Sequence, residues 1–460
     1  MLFSSMTFVF IFLPLVLTVY LLTPSRFRND VLLSASVLFY AWGEPYYVAI
    51  MFLTVLLNWG GAVLISRFRK YKSLFLAATV IADLGFLFYF KYFNFVLENV
   101  NAVFDADIPF ITVIMPIGIS FYTFQAMSYL IDVYRGEKAQ TDICKLALYI
   151  TLFPQLVAGP IVKYHDVAAQ LNCREVTSDK VVYGVRRFIS GLAKKVLIAN
   201  TLGVVADAVF AQPVENFDTF TAWVGALAYS LQLFYDFSGY SDMAIGLGAM
   251  FGFKFFENFN YPYISKSVSE FWNRWHISLS SWFKEYLYIP LGGNRAGRSR
   301  MVLNLALVFL ATGIWHGAEW TFVVWGMWHG LLVITEKLTG LDKSTRFALL
   351  QHIYCLFVIV IGWVLFRAEN LSYAGAYLQN MFGLLPAHTI SNEIGAYVDN
   401  VEIIVFAAAV ICALPVFKNI LSVKNAPANF ALNLWFLLLF LVSTAALASS
   451  TYNPFIYFRF

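Results

Sequence analysis

The chain alternates long apolar runs with short polar breaks, and the runs reach the roughly 17 to 25 residues that a helix needs to cross a bilayer. They centre on Met6–Leu22, Tyr47–Ile65, Leu74–Phe90, Ile111–Val133, Leu146–Val162, Phe188–Ala211, Ala222–Phe237, Met301–Trp315, Trp320–Ile334, Leu349–Phe366, Val401–Phe417 and Ala431–Ala448. Val31–Trp42 is shorter and reads as a buried or re-entrant helix. The pattern predicts an all-α polytopic membrane protein with about 11 transmembrane helices.

The longest polar excursions are Tyr134–Lys145, Lys163–Lys180, Lys254–Arg300 and Leu385–Asn400. The third is aromatic and basic, and within Phe255–Gly293 it holds no run long enough to span. Short amphipathic or re-entrant helices at the cytoplasmic interface are predicted there, starting and stopping at Pro262, Pro290 and Gly292-Gly293. Broken backbone at membrane depth survives only where protein or a watery cavity shelters it, so a cavity is implied. There is no linker between soluble domains and no repeat of fixed period; residues 1–460 read as one membrane domain with a special region at 254–300.

Composition agrees with this picture. The chain is 60% hydrophobic and 13% charged, whereas soluble domains average about 25% charged. Basic residues gather at Arg26/Arg28, at Arg67/Arg69/Lys70/Lys72 and at Lys284/Arg295/Arg298/Arg300. The positive-inside rule makes these loops cytoplasmic and puts the N-terminus outside. Met6–Leu22 lacks a basic leader and a small-residue cleavage site, so it is expected to stay as an anchor. The same loops account for the net charge of +4, leaving no argument for a nucleic-acid partner. Cys144, Cys173, Cys355 and Cys412 are scattered, without metal-ligand spacing, and read as apolar fillers rather than a metal site or disulfide framework.

The candidate chemistry rests on two histidines. His276 lies in Phe271-Trp272-Asn273-Arg274-Trp275-His276-Ile277-Ser278-Leu279-Ser280, and His316 in Gly313-Ile314-Trp315-His316-Gly317. An ionisable ring at membrane depth is costly and usually marks function. Gly313 and Gly317 are expected to leave room for a ligand beside His316, and a neutral imidazole suits removal of a proton from an attacking hydroxyl. No Gly-x-Ser-x-Gly elbow, P-loop or dinucleotide motif accompanies it, so group transfer by histidine remains. His329, His352 and His388 read as satisfied core histidines, and His165 lies in a polar loop.

Gln125 and Gln155 stand in apolar surroundings, where interhelical hydrogen bonds worth roughly 0.6 kcal/mol each explain them as well as a tunnel lining does. Asp236 and Asp242 need an aqueous path or a basic partner. Their six-residue offset puts them on different faces of a helix, so an ion pair with Arg274 or Lys254 is expected of each rather than a joint acid–base role. Asn273 and Arg274 are grouped with these as tunnel or structural polar residues.

Six segments together give the chain a family likeness: Pro116–Gly136, Phe153–Ile161, Tyr235–Gly246, Phe271–Leu291, Trp315–Trp320 and Phe455-Ile456-Tyr457-Phe458-Arg459-Phe460. Nearly end to end, the chain resembles the membrane-bound O-acyltransferase superfamily, most closely the bacterial branch typified by the alginate O-acetyltransferase membrane subunit. The resemblance implies helices around a central tunnel, with an acyl donor entering from the cytoplasm and an acceptor from the other side. It implies that His316 is the catalytic histidine and that His276 holds the second polar position, orienting the donor or polarising its carbonyl. It further implies acetyl-CoA as donor substrate, no tightly bound cofactor, and a location in the bacterial inner membrane. An SGNH-like extracytoplasmic acetyltransferase partner and a secreted polysaccharide acceptor follow from the same likeness.

Two assignments carry alternatives. Lys284, Arg295, Arg298 and Arg300 would attract the donor's phosphates, or simply set topology; a carrier protein's phosphopantetheine arm would use the same basic mouth. Tyr457 would carry the acyl group briefly as a phenyl ester, or the aromatic tail at residues 455–460 would anchor or dock the chain. Beyond these stand acyl transfer to lipid or protein, and a proton-coupled transporter using the intramembrane carboxylates.

Overall fold

Within hydrocarbon every backbone N–H and C=O must be paired inside the protein, and this chain meets that demand with helices. The computed structural model describes residues 1–295, 297–344, 346–385, 398–417, 426–450 and 452–456, and every regular element among them is helical. Its contacts divide into two units, Met1–Phe188 with Ser241–Phe256, and Ile189–Tyr240 with Glu257–Phe460.

The first unit holds α1 (Leu13–Leu22), α2 (Arg28–Ala41), α3 (Val48–Arg67), α4 (Lys72–Leu87), α5 (Phe93–Phe104), α6 (Ile119–Arg135), α7 (Ile143–Thr151), α8 (Phe153–Leu156) and α9 (Tyr164–Asn172). The rings of Phe3, Phe8, Phe39 and Phe153 pack there at centroid distances of 4.9–6.5 Å. Tyr20 Oη and Arg174 Nε both donate to the Phe251 carbonyl, at 2.7 and 3.1 Å. Two further helices supply residues to both units: α10 (Ser178–Ala193) and α12 (Thr219–Met250), with α11 (Asn200–Phe210) between them.

The second unit continues with α13 (Val268–Arg274), α14 (Ile277–Phe283), α15 (Arg298–His316), α16 (Trp320–Thr339), α17 (Ala348–Arg367), α18 (Leu371–Met381), α19 (Asn400–Cys412) and α20 (Ala426–Ser449). Its core is built from indoles and phenyl rings. Trp275 lies 5.5 Å from Phe271 and 4.8 Å from Trp363, and Trp325 lies 5.6 Å from Trp272, centroid to centroid. Burying such large rings supplies packing where lipid offers little hydrophobic gain between helices.

Among the described residues six helical stretches are long and apolar enough to cross a membrane: Val48–Arg67, Arg69–Phe104, Ser178–Phe210, Arg298–His316, Ala348–Arg367 and Asn429–Ser449. The expected eleven is therefore not reproduced by length and composition. Ile111–Val133 is helical only from Ile119, because Pro116 and Gly118, at φ +77°, precede the first turn. Leu146–Val162 is no span at all: α7 ends at Thr151, and α8 is a single turn with Pro154 at its start. Ala222–Phe237 continues to Met250 as the 32-residue α12, which carries Asp236 and Asp242. The excursion Lys163–Lys180, expected to be a loop, holds α9, whose His165 Nδ1 sits 2.9 Å from Asp132.

The α15–α16 hairpin places His316, and glycines set its closeness. A Cβ on Gly313 would meet the Phe322 carbonyl at 2.5 Å, and one on Gly326 would meet the Phe309 carbonyl at 2.5 Å. Gly326→Leu is therefore expected to separate the helices and lower stability by about 1–3 kcal/mol. Thermal unfolding of the detergent-solubilised chain checks this, and an unchanged midpoint would refute the packing role.

Candidate active site

His316 is the last residue of α15, just before the turn into α16. Its ring is 4% exposed in an aromatic box, with centroids 4.9 Å from Trp315, 4.9 Å from Trp325 and 5.3 Å from Phe366. The flanking glycines do not open a ligand path, contrary to the sequence expectation. A Cβ on Gly317 would lie 2.1 Å from the Phe322 ring, and Gly313 faces the Phe322 backbone, so helix packing takes up that space.

His276 belongs to the same unit and is joined to His316 through Trp315, whose ring lies 6.3 Å from one imidazole and 4.9 Å from the other. It caps α14 with a left-handed backbone, φ 45°, which a side-chain-bearing residue adopts only when its surroundings fix it. Asn258 does the fixing. Its Oδ1 accepts from the Ser278 backbone N–H at 3.1 Å, the Ser278 hydroxyl at 2.9 Å and His276 Nδ1 at 3.2 Å, while its carbonyl accepts from Ile277 N–H at 2.9 Å. Because Oδ1 only accepts, the His276 proton sits on Nδ1 and Nε2 is the lone-pair nitrogen. Burial lowers the pKa of this imidazole, keeping it neutral.

The short helix before His276 is held by Glu336, a fully buried carboxylate on α16 whose two oxygens accept from Val268 N–H and Ser269 N–H at 2.6 and 2.8 Å. Two charge-assisted bonds at the start of α13 compensate its desolvation. Arg274 is tied within its own region, to Glu270 at 2.9 Å and to the Asn260 carbonyl at 3.0 Å, and Asn273 is exposed.

The carboxylates find other partners than those expected. Asp236 pairs with Lys195 at 2.7 Å in the second unit, and Asp242 with Arg187 at 2.6 Å in the first. Arg274 is engaged by Glu270, and Lys254 is exposed, which is why neither serves. Gln125 and Gln155 also fall in the first unit. Gln155 donates to the Tyr149 carbonyl, and Gln125 is buried with neither amide atom bonded among the described residues.

Lys284, Arg295, Arg298 and Arg300 are exposed. Arg300 Nε donates to the Leu291 carbonyl at 3.2 Å, tying the preceding turn to α15. Arg298 and His316 occupy opposite ends of α15, about 27 Å apart at a rise of roughly 1.5 Å per residue. Arg298 and the histidine are thus one helix length apart.

A cavity of about 130 Å³ borders Phe322 and Phe366 and is lined also by Asp207, Tyr229, Gln232, Glu319, Arg367, Glu369, Pro454 and Ile456. A void of roughly 150 Å³ accepts one benzene ring, so this one seats a single ring-sized group. Gln232, one of the lining residues, has a buried Oε1 with no partner among the described residues. Tyr457 and His388 lie outside the described residues.

Sequence reasoning missed Lys195, Asn258, Glu336 and Gln232. Lys195 and Gln232 carried a signal, polar side chains inside apolar runs; Asn258 carried none, since its partners are 18 and 20 residues away. Asn258→Ala is expected to cost about 1–3 kcal/mol by stranding buried donors. Chemical or thermal unfolding tests this, and a neutral result would remove Asn258 as the support of His276.

Residues 86–374 match the family described as MBOAT, membrane-bound O-acyltransferase family. The chain is 42% identical to the probable alginate O-acetylase AlgI of Pseudomonas putida, with 100% of each chain covered. It is 34% identical to the peptidoglycan O-acetyltransferase of Helicobacter pylori over 91% of this chain and 87% of that protein. A teichoic acid D-alanyltransferase of Bacillus subtilis is 31% identical over 47% of this chain and 58% of its own length. With a buried histidine on a membrane helix and a family match over more than half its length, the chain belongs to the membrane-bound O-acyltransferase family.

Proposed function

We propose that this protein is an O-acetyltransferase that passes an acetyl group from cytoplasmic acetyl-CoA across the inner membrane for esterification of an extracytoplasmic polysaccharide. The names of the relatives from Pseudomonas putida and Helicobacter pylori support the acetyl group and the polysaccharide class. The observation that carries the reading is His316, sealed among aromatic rings and sharing Phe366 with the wall of a ring-sized cavity.

In this reading His316 accepts the proton of the attacking hydroxyl at a ring nitrogen. The hydroxyl oxygen bonds to the acetyl carbonyl carbon, the carbon–sulfur bond breaks, and the departing sulfur takes the proton back from the imidazolium. His276, held neutral and oriented by Asn258, steadies the donor. The aromatic box keeps water from the thioester while it waits. Lys284, Arg295, Arg298 and Arg300, all exposed, collect the anionic donor. The N-terminus lies outside, as the basic loops require.

The cavity has about the volume of one ring, which suits a phenol or a single sugar. That size suits a relay in which Tyr457 receives the acetyl group first and an SGNH-like partner, carrying its own nucleophile, delivers it to the polymer.

His316→Ala is expected to lower acetyl transfer at least about 100-fold, and His276→Ala less, because a positioned base contributes roughly 10²–10⁴. Transfer of radiolabelled acetyl from acetyl-CoA by the full chain measures both. A His316→Ala variant working at the wild-type rate removes the catalytic assignment. Intact mass of the C-terminal peptide tests the relay: an added acetyl that Tyr457→Phe abolishes supports it, and an unmodified peptide during turnover contradicts it.

A further inference from the structure

The Lys195–Asp236 pair is 3% and 2% exposed in a chain that lies in a membrane, where withdrawing two charges from water is costly unless the remaining hydrogen-bonding positions are filled. They are filled by the C-terminal segment together with Asn200. Asp236 Oδ2 accepts from the Ile456 N–H at 2.9 Å, and Lys195 Nζ donates to the Pro454 carbonyl and, at 2.7 Å, to Asn200 Oδ1. Asn200 Nδ2 in turn reaches the Tyr452 carbonyl and Asn453 Oδ1, each at 3.3 Å. Phe455 lies against Tyr240 at 4.6 Å, and the Tyr452 hydroxyl donates to Asp207 at 2.7 Å.

The arrangement is specific to backbone. An ordinary structural ion pair joins two side chains, whereas here the pair reads an N–H and a C=O two residues apart and so fixes both the direction and the register of the segment. The consequence is local: Pro454 and Ile456, the residues so fixed, are walls of the cavity that Phe366 shares with His316.

We propose that Lys195 and Asp236 are positioning residues for acyl transfer, holding the segment 452–456 as the acceptor-side wall of the cavity. This rests on the reading of His316 and its cavity as the transfer site. Loss of the pair then leaves donor binding intact and slows transfer, because the acceptor is no longer presented to the imidazole in one register.

The test uses the full chain in nanodiscs with acetyl-CoA as the probe. Asp236→Leu is expected to speed hydrogen exchange of the C-terminal peptide amides at least tenfold and lower kcat at least tenfold, with the KM for acetyl-CoA within twofold. Asp236→Asn keeps an acceptor for the Ile456 N–H and falls between, and Lys195→Arg recovers most of the rate. Ile456→Pro removes the tail's N–H donor while leaving the Lys195–Asp236 pair in place, and serves if Asp236→Leu does not fold; with Ile456→Val as the control for the altered cavity wall, it gives the same split. Unchanged exchange in the variants overturns the clamp, and faster exchange at unchanged kcat overturns its part in transfer. A wild-type chain without His316-dependent transfer overturns the function itself, while its exchange pattern still reports whether the clamp exists.

Discussion

A polar group drawn out of water inside a membrane protein must find its partner within the fold, and the architecture around His316 follows from how that demand is met. Glu336 is fully buried because two backbone N–H groups at the start of α13 await it. Asn258 collects three donors on one oxygen and thereby holds His276 in a backbone conformation that it would not choose alone. Lys195 and Asp236 share a charge and a stretch of C-terminal backbone. Each of these groups is paired across a long sequence distance, so the site exists only in the folded chain.

That distance also explains what could be read beforehand. The helical class, the family and the unusual stretch Phe255–Gly293 were legible, because they depend on local apolar pattern and on motif. Short helices do occur there, α13 and α14 of seven residues each, but they start after Ser267 and His276 rather than at the prolines. The partners of Asp236 and Asp242 were not legible, since Lys195 and Arg187 lie 41 and 55 positions away and nothing local distinguishes them from Arg274 or Lys254. Gly313 and Gly317 misled for a different reason: a small residue beside a candidate catalytic ring signals either ligand space or helix contact, and Phe322 decides for contact. Apolar length misled too, at Leu146–Val162, where Pro154 breaks a run whose hydropathy alone reads as a span.

The two histidines emerge with different physical characters. His276 is defined by hydrogen bonds: its tautomer, orientation and neutral state all follow from Asn258 and burial. His316 is defined by rings, with three aromatic neighbours that exclude water and shape the approach to it. An imidazole in dry surroundings is well suited to exchange a proton with a reacting hydroxyl without exposing the thioester to hydrolysis. In the proposed function, the one helix length between Arg298 and His316 separates the end that collects the donor from the ring that transfers the acyl group.

Transfer from one membrane face to the other makes the reaction sided, and sidedness can be measured. The full chain reconstituted in one orientation in sealed vesicles receives radiolabelled acetyl-CoA on the face bearing Arg298, with the acceptor polysaccharide and its extracytoplasmic partner on the opposite face. Labelled ester is expected on the polymer across the membrane from the donor, dependent on His316. Label that forms only when donor and acceptor share a face would contradict that transfer.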